Sequence, residues 1–169
     1  MKTVCLIRHA KSSWDQAGLA DIDRPLNARG KTTAPIMAKI LADKGILPDM
    51  VITSPAKRAR QTAKAFRKQY GIKKEAQKIE PTIYGGDENQ ILDILRKLPD
   101  EKSSVFLFGH NPTMNYLAAL FSKERLHVPT CGIMILNLHV DTWKDIAPDQ
   151  AALKEIIIPK QFIPEEGEE

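Results

Sequence analysis

Thr3-Val4-Cys5-Leu6-Ile7-Arg8-His9-Ala10-Lys11-Ser12 opens with a short run of strand formers and turns charged at once. Such a run, bounded by polar residues, reads as a buried strand whose end carries Arg8 and His9. Residues 11–27 are polar, with Gly18 and Pro25, and read as a long ordered loop. A helix follows, with Ile36, Met37, Ile40 and Leu41 on its apolar face and Gly45 past its end. Pro35 is expected in its first turn, or else as a kink. Met50-Val51-Ile52-Thr53 repeats the strand pattern, and Pro55 opens a second helix at a tolerated position. Ala59, Ala63, Phe66 and Tyr70 make its buried stripe, and Gly71 stops it. A short strand is expected over residues 76–79. Asp87 and Gln90 have capping-box spacing ahead of a helix carrying Ile91, Leu92, Leu95 and Leu98.

Val105-Phe106-Leu107-Phe108 is apolar on both faces, as a central strand should be. Pro112 or Thr113 opens a further helix, with Met114, Leu117, Ala118 and Phe121 inward. Residues 133–138 and 153–158 read as late strands. Strand and helix alternate four times, and two strands close the chain. That order predicts an α/β fold, a three-layer α/β/α sandwich with a mostly parallel central sheet. Residues 1–162 are expected to form one domain. Residues 163–169, which hold Glu165, Glu166, Glu168 and Glu169, are expected to be a frayed acidic tail.

Composition narrows the class. The chain has 169 residues, 43% hydrophobic and 27% charged, as an ordinary globular protein does. No apolar run approaches the roughly 20 residues of a membrane helix, and residues 1–7, followed by Arg8 and His9, do not read as a signal peptide. Cys5 and Cys131 alone make no disulfide framework, so a cytoplasmic location is expected. Net charge is +4, but residues 55–78 hold nine basic side chains against Glu75 alone. A solvated helix face accounts for most of these, and with few exposed aromatics among them nucleic-acid binding is not expected.

The chemistry gathers at strand ends. Arg8 and His9 follow the first strand, Arg58 falls in the first helical turn after the second, and His110 follows the 105–109 strand. In open α/β sheets, ligands bind outside the carboxyl ends of the strands. A lone arginine or histidine there is ordinarily a cap or a turn residue. Four such groups at one edge arise by chance far less often. Guanidinium forks match phosphate oxygens in pairs, and helix N-termini add N–H donors and positive dipole ends. One imidazole could attack phosphorus while its other nitrogen donates to an acceptor, and the second, when charged, could stabilise the transferring phosphoryl group. Two arginines and a second histidine supply the charge, so no metal or other cofactor is expected.

The residues themselves resemble a known family. Leu6-Ile7-Arg8-His9-Ala10-Lys11-Ser12 is similar to the Arg-His-Gly signature of the histidine phosphatase superfamily, which includes the phosphoglycerate mutases and acid phosphatases. Ser54-Pro55-Ala56-Lys57-Arg58-Ala59-Arg60 resembles its second motif and Gly109-His110-Asn111-Pro112 its third. Asp23-Arg24-Pro25-Leu26-Asn27 with Gly30, and Pro129-Thr130-Cys131-Gly132 with Trp143, resemble the short SixA-type phosphohistidine phosphatases. The resemblance implies a phosphoglycerate mutase-like fold. It implies His9 as the phosphorylated nucleophile, Arg8 and Arg58 as phosphate clamps and His110 as the second catalytic histidine. Lys11 and Ser12, in the loop after His9, are candidate phosphate neighbours.

The departures also inform. Ala10 replaces the signature glycine, so the backbone there must accept a Cβ. Asp15 stands where mutase-like members carry asparagine, and is expected to turn away or serve structure. The larger branch uses a glutamate as general acid before the third motif. Here residues 81–88 offer only Asp87 or Glu88, and Asp87 reads better as an N-cap. A sugar alkoxide needs a placed acid, whereas a phosphohistidine imidazole leaves readily once protonated. The favoured function is therefore a metal-independent phosphatase acting on phosphohistidine of a partner protein. Small phosphorylated molecules are the alternative substrates, and a non-catalytic binder of phosphorylated ligands is a third reading. His127 and His139 lack metal-ligand spacing, Cys5 reads as core, and Trp14 and Trp143 read as packing residues, with a place on a pocket rim as the alternative.

Overall fold

Alternate residues of the first strand pack against different layers, and this period of two organises the molecule. In the computed structural model, which describes residues 1–164, strand β1 spans Lys2–Arg8. Val4 and Leu6 enter one apolar cluster, and Cys5 and Ile7 enter another on the opposite face. Helices α1 (Ala28–Asp43) and α2 (Lys57–Tyr70) cover the second face through Met37, Leu41, Ala63 and Phe66. Helices α3 (Glu88–Arg96) and α4 (Thr113–Ser122) cover the first through Ile91, Leu95, Met114 and Leu117. Three layers result because every central strand must bury both faces.

The other strands are β2 (Met50–Thr53), β3 (Gln77–Ile79), β4 (Ser104–Gly109), β5 (Ile133–Leu138) and β6 (Ala151–Ile157). Their order across the sheet is β3-β2-β4-β1-β5-β6. The β3-β2-β4-β1 half is parallel throughout, whereas β5 runs antiparallel to β1 and β6 antiparallel to β5. Register sets the site. Arg8 pairs with Gly109 and Thr53 with Phe108, so His9, Ser54 and His110 leave three adjacent strands at one level.

Several elements differ from the sequence expectation. Helix α1 starts at Ala28, where the Asn27 side chain accepts the Gly30 N–H, so Pro35 lies in the helix interior. The buried stripe is then Gly30, Thr33, Ala34, Met37, Ala38 and Leu41, while Ile36 is displaced to the exposed flank. Pro55 precedes the α2 N-cap, Ala56, and Tyr70 is only half-buried. Leu98 is buried beyond the end of α3, and β6 starts two residues earlier than the expected 153–158 strand.

The loop at residues 11–27 is held together by a Ser12–Leu26 bridge and by Arg24. Trp143 is fully buried, with its indole N–H on the Lys102 carbonyl, but Trp14 is 77% exposed with the Arg24 guanidinium stacked 3.2 Å from its ring centre. Trp14 is thus a loop-surface residue and not a core one. Among the described residues no helix is long and apolar enough to cross a membrane. Of the acidic tail, residues 165–169 lie outside the described residues, and the Ile163 N–H is bonded to the Pro159 carbonyl.

Candidate active site

His9 is 8% exposed and sits one residue past β1, with its N–H on the Gly109 carbonyl of β4. Its Nδ1 lies 2.7 Å from the Ala10 carbonyl oxygen. A carbonyl can only accept, so Nδ1 carries the proton and Nε2 presents a lone pair. The Arg58 Nε–H donates to that Nε2 at 3.3 Å. Burial foremost pushes His9 down to about 3, helped by the neighbouring His110 and by the Arg58 and Arg8 charges, against the Ala10 bond that favours the cation. The ring is therefore neutral near pH 7.

His110 lies 5.2 Å from His9, centroid to centroid. Its Nε2 is 2.7 Å from Ser54 Oγ at the end of β2. Burial first, and Arg58 next, push it down to about 4, partly offset by Asp21. The second imidazole is thus also neutral in the free protein, and an anion must arrive before it gains charge. Arg8 donates to the Val128 carbonyl at 3.0 Å, and burial, then Arg58, lower its pKa. Arg8 Nε and His110 Nδ1 are buried without a partner among the described residues. Each is a desolvated polar group that costs stability until an oxyanion or other complement meets it.

The backbone explains how these groups are held. Thr62 Oγ1 donates to the Arg58 carbonyl at 2.8 Å and accepts the Ala10 N–H at 3.0 Å, tying α2 to the loop behind His9. Ala10 is fully buried and is not among the residues with positive φ, so its Cβ is accommodated where the signature has glycine. The Cys131 N–H, presented from a left-handed φ of 59°, reaches the carbonyls of both Arg8 and His9. A Cβ on Gly30 would stand 2.1 Å from the Lys11 carbonyl oxygen, so only glycine lets α1 approach that loop.

The remaining candidates are placed less directly. Ser12 is buried, and its Oγ accepts from Arg24 at 2.7 Å. Lys11 is exposed and lines a cavity together with Arg29 and Lys160. Asp15 is exposed. Asp87 is engaged in a complete capping box with Gln90 at the start of α3. His127 and His139 are exposed and stand outside this cluster. Cys5 and Cys131 are buried and free, with burial pushing each thiol up to about 12. Among the described residues no three His, Cys, Asp or Glu side chains gather to hold a metal ion.

Two residues were not singled out from the sequence. Asp21 accepts from Arg58 twice, through its backbone oxygen at 2.7 Å and its carboxylate at 3.0 Å. The same carboxylate accepts from Tyr84 Oη at 2.6 Å and from Arg24 at 2.9 Å. The Tyr84 hydroxyl foremost, then Arg24 and Arg58, hold its pKa well below the usual carboxylate range. Tyr84, whose own pKa is raised chiefly by that bond, stacks edge-on against His110 at 5.6 Å. The one available signal was the Asp21/Arg24 spacing in an otherwise irregular loop.

Residues 4–80 match the histidine phosphatase superfamily (branch 1). An uncharacterised protein of Mycobacterium tuberculosis (strain H37Rv) is 32% identical over 165 residues, covering 91% of this chain and all of the relative. The chain belongs to the histidine phosphatase superfamily. Consistent with that membership, this histidine phosphatase superimposes on a structure from Agrobacterium tumefaciens that carries a provisional phosphohistidine phosphatase SixA assignment. The TM-score is 0.80 at 30% identity, over 94% of this chain and 98% of the other. A tungstate complex of the protein histidine phosphatase SixA, 23% identical, matches with the same TM-score over 94% and 98% of the two chains and shares the fold. The phosphatase is thus a hydrolase on a phosphoglycerate mutase-like α/β/α sandwich.

Proposed function

We propose that this phosphatase hydrolyses phosphohistidine on a partner protein, with His9 as the nucleophile. The observation that carries the reading is the state of the His9 ring. Its Nδ1 proton is committed to the Ala10 carbonyl and its Nε2 lone pair is held beside the Arg58 guanidinium. Nε2 attacks phosphorus as the P–N bond of the substrate breaks, and the departing imidazole takes a proton from solvent. Because Nδ1 keeps its proton, phosphorylated His9 is an imidazolium and a good leaving group. Water then attacks phosphorus, the P–Nε2 bond breaks to restore neutral His9, and both protons of the water leave with inorganic phosphate as H2PO4−.

Arg8 and Arg58 neutralise the phosphoryl oxygens, and His110 gains a proton as the dianion arrives and stabilises the spreading charge. Asp21 positions Arg58, whose outer nitrogens have no other partner among the described residues. Lys11 and Ser12 are assigned a supporting part in phosphate binding. A placed general acid is not required for this substrate, in keeping with Asp87 being spent on its cap. Two free, buried cysteines accord with a reducing cytoplasm. The similarity to the Agrobacterium tumefaciens structure supports the substrate class.

The test is hydrolysis of a phosphohistidine-bearing phosphotransfer domain in the presence of EDTA. Wild-type protein should release phosphate and form an acid-labile phosphoryl adduct, both lost in His9→Ala. Release from phosphate monoesters at higher kcat/KM than from the phosphoprotein would transfer the reading to small molecules. Binding without turnover would make the protein a phospholigand binder.

A further inference from the structure

A cavity of about 360 Å³ lies beside the catalytic loop. Lys11, Arg29 and Lys160 line it and are exposed, while Pro129, Ile158 and Ile163 line it and are half-buried. Among the described residues no acidic one lines it. Among the described residues none of the three cations has a carboxylate within ion-pair distance. Three positive charges around an apolar floor attract a ligand that is both acidic and partly apolar.

The groove shares a wall with the active site. Arg8 donates to the carbonyl of Val128, the residue before Pro129, and the Cys131 N–H holds the carbonyls of Arg8 and His9. Lys11 is two residues from His9. A chain delivering a phosphorylated side chain to His9 would therefore run its neighbouring residues past this groove. By contrast, Lys64 and Lys68 are exposed on α2 and do not line this cavity.

We propose that the groove docks an acidic segment of the phosphorylated partner next to its phosphohistidine, an inference that rests on the protein-substrate reading above. Charge complementarity selects the occupant, and the shared wall couples its docking to presentation of the phosphoryl group.

The test compares Arg29→Glu/Lys160→Glu with Lys64→Glu/Lys68→Glu, pairs of equal charge change. The substrates are a phosphotransfer domain with acidic residues flanking its phosphohistidine, and free phosphoramidate. The groove pair should raise KM for the phosphoprotein about tenfold, with kcat within about twofold and phosphoramidate turnover unchanged. The α2 pair should change that KM less than about twofold. Wild type that hydrolyses phosphoramidate but not the phosphoprotein defeats the substrate reading itself. Wild type that hydrolyses both, with an unmoved KM in the groove pair or an equal rise in the α2 pair, overturns the groove alone. Removal of residues 165–169 should leave the wild-type KM in place. A tenfold fall in KM on removal, absent from the groove pair, would give the groove to the chain's own acidic end and overturn the assignment to the partner.

Discussion

The two halves of the sheet divide the labour differently. In the parallel half, β1, β2 and β4 all end at the same edge, so Arg8, His9, Ser54 and His110 arrive together, and α2 starts there with Arg58. In the antiparallel half, β5 runs the opposite way, and what reaches the site is the backbone that leads into β5. That backbone holds Arg8 through the Val128 carbonyl and the catalytic loop through the Cys131 N–H. Parallel strands therefore bring side chains into convergence, while the antiparallel ones brace them and wall the adjoining groove.

The largest effect should come from the converging half. Arg58→Ala is expected to lower kcat/KM by about 100- to 1,000-fold, the usual cost of losing one aimed charge in a transition state. Arg58→Lys should recover little of it, because a point charge cannot serve Nε2 of His9 and the Asp21 oxygens at once. Steady-state kinetics on a phosphohistidine protein check both, and a full rescue by lysine would mean that the fork geometry is not used.

Next is acid stability. His9 and His110 fall from an ordinary 6.5 to about 3 and about 4 in the fold, mainly through burial. The unfolded chain therefore binds more protons than the folded one from about pH 6.5 downward. The stability contributed by the neutral rings is complete above that pH and is lost as pH falls through 4 towards 3. The loss should be a few kcal/mol in urea titrations. His9→Asn/His110→Asn should flatten the profile over that window; an unchanged slope would place the proton uptake elsewhere.

Asp21→Asn should reduce kcat/KM about tenfold by removing one charge-assisted bond to Arg58, with little change in melting temperature. Tyr84→Phe, one step further from the arginine, should cost less. The smallest change in activity is expected in the bracing half. Asn115 Oδ1 accepts the Val128 N–H at 2.8 Å, so Asn115→Ala should destabilise the fold by about 1 kcal/mol while kcat/KM falls less than about threefold. Losses of activity as large as those of Arg58→Ala would erase the distinction between the halves.

Much of this was legible because short-range physics decided it. The apolar run at 105–108 could bury both faces only as a central strand, and the Asp87/Gln90 box forms at the start of α3 as its spacing implied. The motif residues at the ends of three strands could be placed on one edge from strand order alone. Elements failed where the deciding partner was distant. Pro35 lies beyond the first turn because the Asn27 cap set the start of α1 at Ala28, eight residues before Ile36. Trp14 was expected to pack, and instead lies on the surface over Arg24, whose guanidinium is bonded to Ser12, Ser13 and Asp21. Asp21 went unnoticed because an irregular loop has no period to show which carboxylate faces inward.

What the amino-acid order determined by itself was the list of strands and helices and the residue types at their ends, since periodicity and capping act over a few neighbours. Tertiary structure alone decided that Arg58 bridges His9 and Asp21, that both imidazoles are neutral in the free protein, and that Ser12 serves Arg24. Those outcomes depend on burial and on polar groups brought within a few ångströms from positions 12 to 101 residues apart, which no local pattern encodes.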